Sequence, residues 1–150
     1  MLRRPLASSR LLPWLGLAVA APAFAHHSIA GVYDSTRTTT VAGRVTEFRF
    51  VNPHPILVID VADEGAPPEL WLLEMDNRFE LSRIGMAADT YRPGDVVVAR
   101  GALARNEPQR LYLRRLERPS DNVVYEQIGS TPRFGIPPLS PRRNPGPPGR

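Results

Sequence analysis

The sequence predicts a mainly β fold: a small five-stranded OB-like barrel with one helix between strands three and four. Three observations carry this. Five apolar, strand-length runs lie between residues 38 and 117, turns rich in Pro, Gly and Asn separate them, and one capped helical segment follows the third run. Five strands with a helix in that place follow the OB-fold order.

The first strand, Thr38 to Val51, changes parity along its length. Val41 and Val45 share one side while Phe48 and Phe50 take the other, and the switch is placed just after Gly43. Such a change marks a bulge or sharp bend, which lets one long strand pair in two directions. Asn52-Pro53-His54-Pro55 is a turn, because two prolines do not fit a central strand. Ile56 to Val61 is the second strand, Asp63 to Pro68 a loop, and Glu69 to Met75 the third strand.

A loop centred near Gly65 and Ala66 pairs Asp60 with Leu70, Val58 with Leu72 and Ile56 with Glu74, and sets His54 opposite Asp76. Side chains alternate between faces. Leu57, Ile59, Val61, Trp71, Leu73 and Met75 then share the core side, and Asp60 and Glu74 the other. Asp76 and Asn77 open the helix, with Glu80 as capping-box partner and Gly85 as its stop. Phe79, Leu81 and Ile84 are expected to point inward. Tyr91 to Asp95 is a turn, Val96 to Ala102 the fourth strand, Arg105 to Gln109 a hairpin loop, and Arg110 to Glu117 the fifth strand.

The flanks differ from this middle. Arg3, Arg4 and Arg10 precede the apolar run Leu11 to Ala21, and Ala23-Phe24-Ala25 ends it. A basic head, a short apolar middle and an A-x-A end make residues 1–25 a secretory signal peptide, expected to use the general secretory route. The run falls short of the roughly 20 residues that span a bilayer, so no membrane span is expected in the mature chain. Residues 26–37 form a polar lead-in. Residues 118–150 read as a flexible tail rich in Pro and Arg; the stretch from 132 onward holds seven of the 17 prolines.

Composition narrows function. There is no cysteine, which excludes disulfides, thiolate metal sites and thiol catalysis. All 19 basic residues are arginine, and the formal charge is +4. Without residues 1–25 there are 16 basic against 15 acidic groups, and residues 26–132 alone carry 12 against 15. A negative folded region with sparse aromatics argues against nucleic acid. Arg100, Arg110, Arg114 and Arg115 are expected to pair with Glu107, Glu117 and Asp95. Ser28 and Asp34 lie in no nucleophile elbow, and Asp60, Glu74 and Asp76 read as a solvated strand face, so no catalytic residues are assigned.

Ala25-His26-His27-Ser28, Val41 to Thr46, Val51-Asn52-Pro53-His54 leading into Ile56 to Val61, Trp71, and Arg92-Pro93-Gly94-Asp95-Val96 together resemble a family of small exported bacterial proteins of unknown function. The resemblance covers about residues 25 to 117. It implies a single exported domain, in the periplasm or outside the cell, with no established activity.

Cleavage after Ala25 makes His26 the mature N-terminus. Its α-amine and Nδ1 form a chelate, to which His27 or His54 adds an imidazole and Glu74 or Asp76 an oxygen. Such nitrogen-rich sets suit Cu(II), then Zn(II) or Ni(II). The candidate metal ligands are therefore His26, His27, His54, Glu74 and Asp76, in a non-catalytic binding protein. The competing reading is a metal-free module that docks an unknown periplasmic protein partner through the barrel face or the tail.

Overall fold

A computed structural model describes residues 29–62 and 65–137. The fold is mainly β. A one-turn helix α1 (Ile29–Val32) leads into β1 (Tyr33–Arg49), followed by β2 (Ile56–Val61), β3 (Glu69–Glu74), helix α2 (Arg78–Arg83), β4 (Val96–Ala104), β5 (Arg110–Arg118), β6 (Val123–Ile128) and β7 (Thr131–Gly135). The sheet order is β3-β2-β1-β4-β5-β6-β7, and β3 also pairs with β5, so the first five strands form a ring. All pairings are antiparallel except β3–β5, where Leu72, Leu73 and Glu74 run parallel to Arg110, Leu111 and Tyr112.

The 17-residue β1 starts five residues earlier than expected and serves two neighbours. Its first part, to Arg44, pairs with β4, and its last part, from Arg44 on, pairs with β2. The bulge lies between Val45 and Glu47, not just after Gly43. Gly43 contributes differently: a Cβ there would collide with the Asp60 carbonyl on β2 and crowd the Ile59 side chain. Gly43 permits the close approach, and the bulge at Thr46 carries the parity change that turns Phe48 and Phe50 toward the core.

The β2–β3 hairpin has the expected register, from Ile56 opposite Glu74 to Val61 opposite Glu69. Leu57, Ile59, Leu73 and Met75 are fully buried, and Val61 and Trp71 pack against the same core. Helix α2 also follows its local signals. Asn77 Oδ1 accepts from the Glu80 N–H at 2.9 Å. At the other end Gly85 N–H donates to Ser82 O at 3.1 Å and Met86 N–H to Leu81 O at 3.0 Å, the paired bonds of a Schellman stop. Leu81 and Met86 enter the core and Ile84 packs on it, but Phe79 points out and is 67% exposed. On a six-residue helix only one narrow stripe faces inward, and Leu81 fills it.

Two strands lie in the segment expected to be a flexible tail. Residues 123–135 form the β6–β7 hairpin, with β6 paired to β5 from Arg115–Glu126 to Arg118–Val123. Tyr125 is fully buried and Phe134 packs beside it on the core. Pro132 sits in β7, whose one neighbour among the described residues is β6, so its missing N–H breaks no central ladder. Among the described residues the sheet thus has seven strands where five were expected. Residues 138–150 lie outside the described residues, as do 1–28.

Replacing Gly43 by alanine drives a methyl group into backbone that cannot swing aside. The expected cost is about 1–3 kcal/mol, read as a lowered urea midpoint with unchanged slope. A midpoint equal to wild type would show that the β1–β2 crossing is looser than described.

Candidate functional site

Where α1 enters β1, the β3–α2 junction, β4, β5 and the β6–β7 hairpin line a cleft of about 440 Å³. Ile29 and Tyr33 come from the chain's lead-in, Asp76 from the β3–α2 junction, Ala102 from β4, Tyr112 and Arg114 from β5, and Gln127 from β6. Segments far apart in sequence thus build one site.

Behind the lining residue Tyr33 is a clamp around Glu74. Tyr33 donates its hydroxyl to Glu74 Oε2 at 2.6 Å, and Arg110 donates to the same oxygen at 2.7 Å. Arg110 Nε also donates to the Tyr33 hydroxyl at 2.8 Å, closing a triangle. Burial alone would lower the Arg110 pKa, but the bonds to Glu74 and Tyr33 outweigh it and raise it. Burial first, and then the bond to Glu74, hold the Tyr33 hydroxyl well above its ordinary range. The rings of Tyr33 and Tyr112 tilt against each other at 5.6 Å.

The floor is a second network. Tyr125 donates to Gln127 Oε1 at 2.8 Å, and Gln127 Nε2 donates to Asp76 Oδ2 at 2.8 Å and to Gly129 O at 3.0 Å. The other Asp76 oxygen accepts from the Asn77 N–H at 2.7 Å. Gln127 is the one buried polar side chain among the described residues. Every polar atom of its amide is satisfied, as burial demands.

Above the floor lies Arg114. Its guanidinium stands 5.1 Å over the Tyr112 ring and, among the described residues, has no acid partner. The other strand arginines are mostly engaged: Arg110 with Glu74 and Glu107, and Arg115 with Glu117 and Glu126. Asp95 pairs with Arg118 instead of the arginines expected to hold it. Arg100 is exposed and, among the described residues, has no acid partner.

The candidate metal ligands are distributed as follows. Asp76 lines the cleft. Glu74 lies behind its wall with Tyr33 and Arg110 on one oxygen. His54 Nδ1 is 3.1 Å from the Met75 carbonyl, next to Asp76 in sequence, but His54 is not among the lining residues. His26 and His27 lie outside the described residues. Among the described residues no three His, Cys, Asp or Glu side chains gather into a metal-holding group. No helix among them is long and apolar enough to cross a membrane.

Gln127, Tyr112 and Arg114 give the cleft most of its character. Gln127 escapes a reading that takes its strand for tail. A signal was present, since Gly129-Ser130 between two runs is a two-residue hairpin pattern, and Gly129 adopts the positive φ of 61° such a turn needs.

A family model described as a family of unknown function (DUF6152) matches residues 15–111. The chain belongs to this family. The match ends inside β5, so the β6–β7 hairpin that supplies Gln127 lies beyond it. No curated protein is similar enough to match the chain. Among solved structures, the chain is similar to the crystal structure of TiaS in complex with a tRNA and ATP, at 18% identity and a TM-score of 0.42, over 57% of this chain and 19% of that one. It is also similar to the ZRD-deleted mutant of TiaS in complex with agmatine, at 19% identity and a TM-score of 0.41, over 56% of this chain and 21% of that one. The chain thus spans about a fifth of those proteins.

The floor network has a measurable worth. Gln127→Leu leaves the Tyr125 hydroxyl and one Asp76 oxygen without their partner, and should cost about 1–3 kcal/mol in urea unfolding. No loss would mean that water replaces the amide without penalty.

The tyrosines set the response to alkali. Burial is the largest cause raising all four, Tyr33, Tyr91, Tyr112 and Tyr125, and Tyr112 is pushed up to about 12. A raised pKa means the folded state holds its proton longer than the unfolded chain, whose tyrosines titrate near pH 10. That contribution is complete below about pH 10 and is lost as pH rises through the folded values. The chain has no lysine or cysteine to blur the range. The urea midpoint should fall between about pH 10 and 12, with tyrosinate absorbance delayed until unfolding. Tyrosinate forming near pH 10 in a protein still folded would overturn this.

Proposed function

We propose that the protein is exported to the periplasm or beyond as a non-catalytic binding protein, with the five-strand ring acting as a small OB-like barrel. Its site is the cleft at the start of β1, and its ligand a divalent metal, Cu(II) before Zn(II). The observation that carries this reading is that Ile29 and Asp76 line one cleft. His26 precedes Ile29 by only three positions. At about 3.3 Å per residue of extended chain, an N-terminal His26 has the reach to meet the Asp76 carboxylate.

The ligand set is then the His26 α-amine and imidazole, the His27 imidazole and an Asp76 oxygen. Each Asp76 oxygen accepts one N–H and keeps a lone pair for a metal. Gln127 and Asn77 would orient the carboxylate, as outer partners of ligands commonly do. Glu74 fits this role less well, since Tyr33 and Arg110 both occupy Oε2. His54 fits less well too, because it stands outside the cleft lining.

A protein beginning at His26 should bind one equivalent of Cu(II) with submicromolar affinity by calorimetry. Binding should weaken below the α-amine pKa of about 8. A methionine placed before His26 should abolish it, Asp76→Asn should weaken it, and His54→Ala should leave it unchanged. Equal binding by the methionine-extended chain would sink the N-terminal site. No stoichiometric binding would leave the metal-free docking module as the better reading.

A further inference from the structure

The geometry points to Arg114 as the receptor for the carboxylate of a small monoanionic ligand with an aromatic or apolar body, seated in the same cleft. This rests on the cleft being the protein's binding site, and not on the metal.

Neighbouring arginines are used very differently. Arg110, Arg115 and Arg118 each hold two carboxylates. Arg114, in the same strand, has no hydrogen bond and no ion pair among the described residues, yet it is only partly exposed and lines the cleft. Stacking on Tyr112 at 5.1 Å restricts the planar guanidinium without using its N–H groups. Its fork of donors is left to match a carboxylate with two parallel bonds.

The rest of the cleft suits the remainder of such a molecule. Ile29, Ala102 and the tilted rings of Tyr33 and Tyr112 supply apolar and aromatic surface, and about 440 Å³ is room for a small organic acid. Asp76 sets the charge limit. Its carboxylate shares the cleft, with one N–H donor on each oxygen to spread the charge. A multiply charged phosphate would face that acid with more than one charge, whereas a single carboxylate placed at Arg114 brings only one.

The test is benzoate titrated by calorimetry into the protein beginning at His26, in EDTA so that no metal contributes. Benzamide serves as the uncharged control of the same shape. One-to-one benzoate binding is expected, about tenfold or more tighter than benzamide, the worth of a charged hydrogen-bonding partner. Arg114→Gln should lose that advantage, Asp76→Asn should tighten benzoate, and Arg100→Gln, at a residue that does not line the cleft, should change nothing. Equal affinity for benzamide, no saturable benzoate binding, or full affinity in Arg114→Gln would overturn the assignment. If Arg114→Gln does not fold, the wild-type benzoate–benzamide ratio and Asp76→Asn decide it. Benzoate binding without Cu(II) binding sinks the metal reading alone, and Cu(II) binding without benzoate binding sinks this one alone.

Discussion

Closure of the five-strand ring depends on a short parallel contact between β3 and β5, three residue pairs long, and on the Glu74 carboxylate that reinforces it. Glu74 belongs to β3, Arg110 to β5 and Tyr33 to β1, so the triangle of bonds ties three strands at one point. Glu74 and Arg110 are 14% and 25% exposed as side chains, and a half-desolvated ion pair is a poor source of net stability by itself. Its value lies in geometry. The clamp fixes where β1 begins relative to the end of β3, and with it the position of Tyr33, which lines the cleft. The second apolar cluster, Tyr33 with Ala102, Ala104 and Tyr112, packs behind the clamp and keeps the Tyr33 ring in place.

The opposite end of the ring solves a different problem. A strand that bends between two partners leaves backbone groups without a ladder neighbour, and buried ones must find another. At the β1 bulge the Pro-Gly-Asp turn supplies it. Val45 N–H donates to Asp95 O at 2.8 Å, and Gly94 N–H donates to Val45 O at 2.8 Å. Arg44 adds a bond to Gly94 O at 2.7 Å, and Arg118 holds the Asp95 side chain at 2.9 Å. Gly94 has a positive φ of 98°, which a turn this tight requires. The turn and the bulge are therefore one device, although 50 residues separate Arg44 from Gly94.

What is legible in the sequence is what local chemistry decides. The β2–β3 register agrees residue for residue because alternation and loop length constrain each other, and a slip of one would turn Leu57, Ile59 and Leu73 outward. The α2 caps are legible because Asn77 and Gly85 act within one turn. The bulge lies a little further along β1 than parity suggests, because Gly43 is itself special. It is needed for contact with Asp60, a long-range reason that parity alone does not reveal. The β6–β7 hairpin is hidden by composition. Pro132, Gly129 and Gly135 look like tail, and the apolar faces of Tyr125 and Phe134 have meaning only once β5 is there to receive β6. A reading without that hairpin also lacks Gln127, and with it the floor of the cleft.

The cleft itself is not written in spacing, because its character comes from which arginine lacks a carboxylate. In sequence Arg110, Arg114 and Arg115 look equivalent, and Glu107, Glu117 and Asp95 look like partners for all of them. In the fold, β5 carries an extra residue at Arg114 against β4, which interrupts alternation between the core residues Leu113 and Leu116. Arg115 meets Glu117 and Glu126, while Arg110 meets Glu74 across the ring closure. Arg114 stands beside Tyr112 and in one cleft with Asp76, whose oxygens are already held by Asn77 and Gln127. Exposed ion pairs contribute little to stability, so the pairing of Arg115 with Glu117 and Glu126 matters less for holding the fold than for neutralising its surface. What survives that neutralisation at the cleft is one stacked cation and one hydrogen-bonded acid on a largely apolar wall, a pattern set by topology and not by any motif.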